Sequence, residues 1–159
     1  MAWSKNGTPV TLGSAGADMD ITDLTAKNFH VLLTHKINAA TDFGGAITFD
    51  NDSGSNYADR RKNDGGTEAT DVSQTSTRSR TGWNDNDFFI YMICDISGEE
   101  TLLISFGVGE RSAGAGTAPG RMELVSKWTG TTQFTRMDMA KTGAANFDTN
   151  SNVSMLGTD

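Results

Sequence analysis

The chain has 159 residues, close to half of them Gly, Ser, Thr, Asn or Asp, and a net charge of −7 at pH 7. Leu and Glu are scarce, which excludes a bundle or solenoid of helices; the acid excess argues against a phosphate-backbone binder, whose affinity rests on clustered Lys and Arg. Eight Phe, three Trp and seven Met suffice for one hydrophobic core, so a single domain over 1–159 is expected rather than a disordered chain.

Residues 9–12 and 18–22 read as two short strands around a glycine-containing turn at 13–16. In 28–37, Phe29, Val31, Leu33, His35 and Ile37 alternate with Asn28, His30, Leu32, Thr34 and Lys36, the period of a strand with one buried face. The first set is expected to face the core, which makes His35 a hydrogen-bonded core or interface histidine. His30 then points the other way, and the two cannot share a metal ion. Residues 46–51 give a further strand with Ile47 and Phe49 on one face.

From 50 to 82 the only large apolar residues are Tyr57 and Val72. A long polar loop of about 50–87 is expected, and connections of such length are usually functional or ordered by a partner. Weak alternation at 70–79 permits a polar edge strand within it. Residues 88–96 are apolar on both faces, as in a strand central to its sheet, and 97–100 reverse the chain into 101–108 as a hairpin. Cys94, the single cysteine, excludes an intramolecular disulfide and is expected as a buried core thiol. A Gly/Ala loop at 109–120 leads to strands at 121–128, 133–140 and 152–156. Eight to ten short strands with regular turn signals predict an all-β, antiparallel two-sheet β-sandwich of jelly-roll or concanavalin-like form.

Chemistry-bearing patterns are few. Asp50, Asp52 and Asn56 place oxygen ligands at alternate positions, as a Ca²⁺ loop does, yet the following residues break the EF-hand pattern, and Asx-turn geometry explains the same residues without a metal. Of five Glu residues only Glu123 sits mid-strand, without the second carboxylate that glycan hydrolysis needs, so no catalytic residue and no enzymatic activity are expected. Trp3, Tyr57 and Trp83 offer either a sugar-stacking platform or interface anchors. Arg60 and Arg61 sit in a basic group flanked by Asp59 and Asp64, a solvated turn available to an interface. No apolar run is long enough to span a bilayer. The N-terminal Met-Ala-Trp-Ser-Lys-Asn-Gly-Thr lacks the charged region and apolar segment of a secretion signal.

Several segments resemble a group of small proteins encoded by tailed phages and related environmental viruses. They are Phe49-Asp-Asn-Asp-Ser-Gly-Ser-Asn-Tyr-Ala-Asp-Arg-Arg-Lys-Asn-Asp-Gly-Gly66, Ile93-Cys-Asp-Ile-Ser-Gly-Glu-Glu-Thr-Leu-Leu-Ile104, Ala113-Gly-Ala-Gly-Thr-Ala-Pro-Gly-Arg-Met-Glu-Leu-Val125, Trp128 with Phe134-Thr-Arg-Met137, and Asn150-Ser-Asn-Val-Ser-Met-Leu-Gly157. The resemblance implies a β-sandwich virion component, a capsid decoration or tail-associated protein, folded in a host cytoplasm and released by lysis. It further implies a homo-oligomer, a trimer above other forms, that contacts capsid or tail proteins through its loops. The alternative is a lectin-like module that holds host glycans through Trp83, Tyr57 and the turn at 50–56.

Overall fold

The computed structural model describes residues 2–37, 44–79 and 86–159, and there is no helix among them. In chain order the strands are β1 (Ser4–Lys5), β2 (Val10–Thr11), β3 (Asp18–Ile21), β4 (Phe29–Lys36), β5 (Gly45–Phe49), β6 (Tyr57–Asn63), β7 (Ala69–Gln74), β8 (Thr77–Ser79), β9 (Asp87–Cys94), β10 (Thr101–Gly109), β11 (Gly120–Trp128), β12 (Met137–Lys141) and β13 (Asn152–Thr158). They form two antiparallel sheets. The larger has nine strands in the order β1-β13-β4-β9-β10-β11-β6-β7, with β2 paired beside β13; the smaller has four, ordered β3-β12-β5-β8. This is the two-sheet all-β architecture that composition and alternation predict.

The strands outnumber the eight to ten expected because the polar stretch after residue 50 is largely strand. β6 pairs with β11 from Tyr57↔Trp128 to Asn63↔Met122, β7 continues the sheet beside β6, and β8 joins the small sheet beside β5. Turn chemistry starts these strands. Asp50 and Asn51 are both left-handed and the Asp52 amide donates to the Phe49 carbonyl at 2.9 Å; Asp64 and Gly65 repeat the pattern, with Gly66 N donating to Asn63 O at 2.8 Å. Short polar residues tolerate that conformation. Main-chain pairing then satisfies the backbone without apolar side chains on the solvated flank of the sheet.

One core lies between the sheets. The large sheet contributes Leu32, Phe89, Tyr91, Leu103, Leu124 and Trp128 among others, and the small sheet Met19, Ile21, Ile47, Phe49, Met137 and Met139. Phe134, from the connection before β12, sits between the layers, with ring centroids 4.4 Å from both His30 and Phe49. Gly107 on β10 leaves the space that the Phe89 ring fills: a Cβ there would lie 2.2 Å from a ring carbon.

His30, and not His35, is the buried histidine, because the small sheet covers the face of β4 that carries His30, Leu32, Thr34 and Lys36. Its Nε2 is 3.1 Å from the Lys27 carbonyl oxygen, a pure acceptor, so the proton resides there. Asp95 Oδ2 lies 3.7 Å away. Asp95 is itself buried and accepts from Thr101 Oγ1 at 2.7 Å and from the Phe134 amide at 2.9 Å, tying the β9–β10 hairpin to the segment that seats Phe134.

Candidate interaction surface

Among the described residues, no sheet lies over the other face of the large sheet. Along β10, Thr101, Leu103, Ser105, Gly107 and Gly109 turn inward, and Leu102, Ile104, Phe106 and Val108 turn outward, the first three 54%, 50% and 55% exposed. Antiparallel register carries this apolar face sideways, since residues directly opposite share a face. Ile104 has Met92 and Val125 beside it, Phe106 has Ile90 and Glu123, and Val108 has Phe88 and Arg121. One strand further, Phe29, Val31 and Leu33 of β4 lie opposite Cys94, Met92 and Ile90, and Leu156 of β13 lies opposite Val31.

Alternation thus exists as predicted, but the more apolar set faces out. Leu33, Val31 and Phe29 are only half-buried, and His35 is exposed. Cys94, expected in the core, is half-buried at the same outer face. Residues 88–96 are apolar on both sides for two different reasons: Phe89, Tyr91 and Ile93 fill the core, and Phe88, Ile90 and Met92 belong to the open face.

This face has relief. Leu102 and Ile104 form a ridge between two depressions. One, of about 540 Å³, is lined by Trp3, Phe29, Val31, Met92 and Cys94. The other, of about 430 Å³, is lined by Ala58, Arg60, Val72, Val125 and Lys127. Past Val125 the surface becomes charged, with both signs present and paired: Arg60 with Glu68 at 3.2 Å, Arg121 with Glu123 at 3.8 Å and Lys127 with Glu100 at 2.6 Å, while Lys62 lies opposite Glu123. The acid excess lies elsewhere, in large part on the small sheet and its turns, at Asp18, Asp20, Asp23, Asp50, Asp52 and Asp138.

The residues singled out from sequence divide between these two environments. Tyr57 is not a sugar platform: it is 1% exposed, stacked near Trp128, with its hydroxyl accepting from Phe49 N at 3.0 Å and donating to Asp52 O at 3.1 Å. Burial pushes the Tyr57 phenol far above its ordinary pKa. The cause is the inward parity of β6, on which Tyr57 and Asp59 face the small sheet. Asp52 accepts from Trp128 Nε1 at 2.6 Å, Asn56 Nδ2 at 2.9 Å and Gly54 N at 2.9 Å, and the Trp128 and Asn56 bonds hold its carboxyl below the usual carboxylate range.

Asp50 instead accepts the Thr135 and Arg136 amides, both at 3.0 Å. The Asp50, Asp52 and Asn56 side chains therefore fix turns, and a cation would have to displace those donors; no group of three or more His, Cys, Asp or Glu positioned for a metal occurs among the described residues. Arg60 and Arg61 face opposite ways. Arg60 stands at the edge of the second depression, whereas Arg61 pairs with Asp71, which also takes Arg78 at 3.1 Å. Trp3 is 49% exposed and borders the first depression, and Trp83 lies outside the described residues. The Gly/Ala loop at 110–119 is open to solvent, and Asp64 ties its ends by pairing with Arg111 and accepting the Arg121 amide at 2.9 Å.

Compared with known proteins, the chain matches no family model, no curated protein and no solved structure. The face around Leu102, Ile104 and Phe106 is what sequence reasoning missed. Its signal was present in the double-sided apolarity of 88–96 and the even-numbered apolar run of 102–108, which fits an uncovered interface as well as a central strand.

Proposed function

We propose that this protein is a non-enzymatic structural component of a virion, attached to the capsid surface or the tail, and that the outer face of its large sheet is its assembly surface. The single observation that carries the assembly role is that face. Its large apolar residues are contiguous across β4, β9, β10 and β11, whereas the largest apolar patch on a monomeric protein is about 300–600 Å² and isolated exposed hydrophobics are the norm. The virion setting rests on the resemblance of the segments 49–66, 93–104, 113–125 and 150–157. This reading adds a sheet face to the loop-mediated contact expected from sequence, because much of the stretch after residue 50 is paired strand. The carbohydrate-binding alternative is less well supported, because Tyr57 is inside and the Asp52 carboxylate is taken up by protein donors.

The test is to isolate particles from a lysed culture that encodes this chain, by density gradient, and to cross-link them before mass spectrometry. The expected result is co-sedimentation with particles and cross-links between this chain and shell or tail proteins. Recovery of the chain only from the soluble fraction, with clean particles, refutes the reading.

A further inference from the structure

Resting on that reading but naming the first occupant of the surface, we infer that the outer face of the large sheet is covered by the same face of a second copy, in a two-fold symmetric, sheet-on-sheet pair. Three observations select a copy of this chain over another partner.

The first is area. Phe88, Met92, Leu102, Ile104, Phe106, Val108, Val125 and Leu156 are each between 37% and 55% exposed. At roughly 150–200 Å² per large apolar residue they present on the order of 700 Å², close to the ~800 Å² per partner of a standard stable interface. Apolar area of that size left in water on a lone chain is a strong drive to associate.

The second is shape. A two-fold interface must be complementary to itself, since the same patch meets its own image. The Leu102–Ile104 ridge with a depression on each side has that property: the ridge of one copy can enter the depression between Trp3 and Met92, or that between Val72 and Val125, on the other. Two sheets stacked through such faces interdigitate at the spacing of a sandwich core.

The third is charge. Two copies carrying −7 each repel unless the acid is kept away from the contact. The flank of this face instead carries both signs, with Arg60, Lys62, Arg121 and Lys127 set among Glu68, Glu100 and Glu123. A copy rotated by half a turn meets a surface of mixed sign rather than a block of one sign, whereas a strongly acidic or strongly basic partner would find no matching block.

Cys94 makes the pair measurable without any label being engineered, because the only thiol of the chain lines the first depression. The experiment is sedimentation equilibrium of the full chain from about 1 to 100 μM, the range of a micromolar dissociation constant, with the rate of Cys94 alkylation measured at each concentration. The expected result is a dimer whose growth with concentration tracks protection of Cys94. Ile104→Glu and Val125→Glu, checked as folded by circular dichroism, should each weaken association at least about tenfold and move the protection of Cys94 to correspondingly higher concentration. Arg78→Ala, on the small sheet, should change neither reading.

A wild-type chain that stays monomeric over this range overturns the inference, as does a dimer indifferent to both glutamates. Monomers that pellet with phosphatidylcholine vesicles would assign the face to a lipid surface and overturn it as well. The outcome is separable from the virion role: a monomer that still enters particles defeats the pairing alone, and a dimer absent from particles defeats the virion role alone.

Discussion

Gly107→Ala tests the packing of the large sheet at one atom. The added Cβ would lie 2.2, 2.3 and 2.6 Å from three ring carbons of Phe89, far inside contact distance. The ring has no escape, since Phe89 is fully buried, lies against Tyr91 at 5.8 Å between centroids and carries the Lys36 ammonium 4.7 Å from its centre. Two effects oppose each other. Removing a strand glycine gains about 0.5–1 kcal/mol of backbone entropy, and overpacking a filled core costs about 1–3 kcal/mol, occasionally more.

With three sub-contact approaches the clash takes the upper end, so a net loss of about 2 kcal/mol is expected, or roughly 4–8 °C in Tm for a chain of this size. Urea unfolding followed by tryptophan fluorescence measures it. Phe89→Ala alone should cost about 3–5 kcal/mol, and Gly107→Ala added to it should cost nothing further, a coupling of about 2 kcal/mol between the sites. A neutral or stabilising Gly107→Ala, or two costs that simply add, would refute the account of why β10 carries glycine there.

Three other outcomes follow from buried or partly buried carboxylates. Asp52→Asn should cost about 1 kcal/mol, a charge-assisted bond to Trp128 discounted for solvent exposure. Because the Asp52 pKa is depressed in the fold, the wild-type advantage is complete above the unfolded value of about 3.9 and is lost as pH falls through the lower folded value; equal Tm for both chains at pH 7 would contradict this. Asp95→Ala leaves the Thr101 hydroxyl and the Phe134 amide without their acceptor in a buried site, a loss of about 3 kcal/mol or more, and Asp95→Asn, which keeps one oxygen, should lose less in the same denaturant titration. Asp20 has a raised pKa, mainly from burial and then from Asp138, opposed by Arg136. A carboxylate raised in the fold weakens stability as pH climbs from its unfolded value to its folded one, so Arg136→Gln should widen that window and melt relatively better at pH 4 than at pH 7, compared with wild type; parallel pH profiles would count against it.

The polar turns were readable residue by residue. Asp50-Asn51 and Asp64-Gly65 belong to the few residue types that accept a left-handed backbone, so chain reversal at those points follows from local sterics. The strands they bound were harder to read: Arg60, Lys62, Thr70 and Val72 carry no consistent apolar alternation, and β6 and β7 are strands because β11 offers an edge to pair with. The same pairing turns Tyr57 inward, which no neighbour in sequence indicates.

Composition and period-2 alternation by themselves determined an all-β chain with strands at 28–37, 88–96, 101–108 and 121–128, each within one or two residues of the observed strand, because both are properties of short segments. Which side of each strand is inside was decided only in three dimensions. A strand shows two faces, and the covered one is the face on which the small sheet lands. In β10 that face bears Ser105 and Gly107, small enough to admit Tyr91 and Phe89, and the bulkier Leu102, Ile104 and Phe106 are left outside. Hydrophobicity records the sum of what a strand buries within its own chain and what it buries against another, and the fold is what divides that sum.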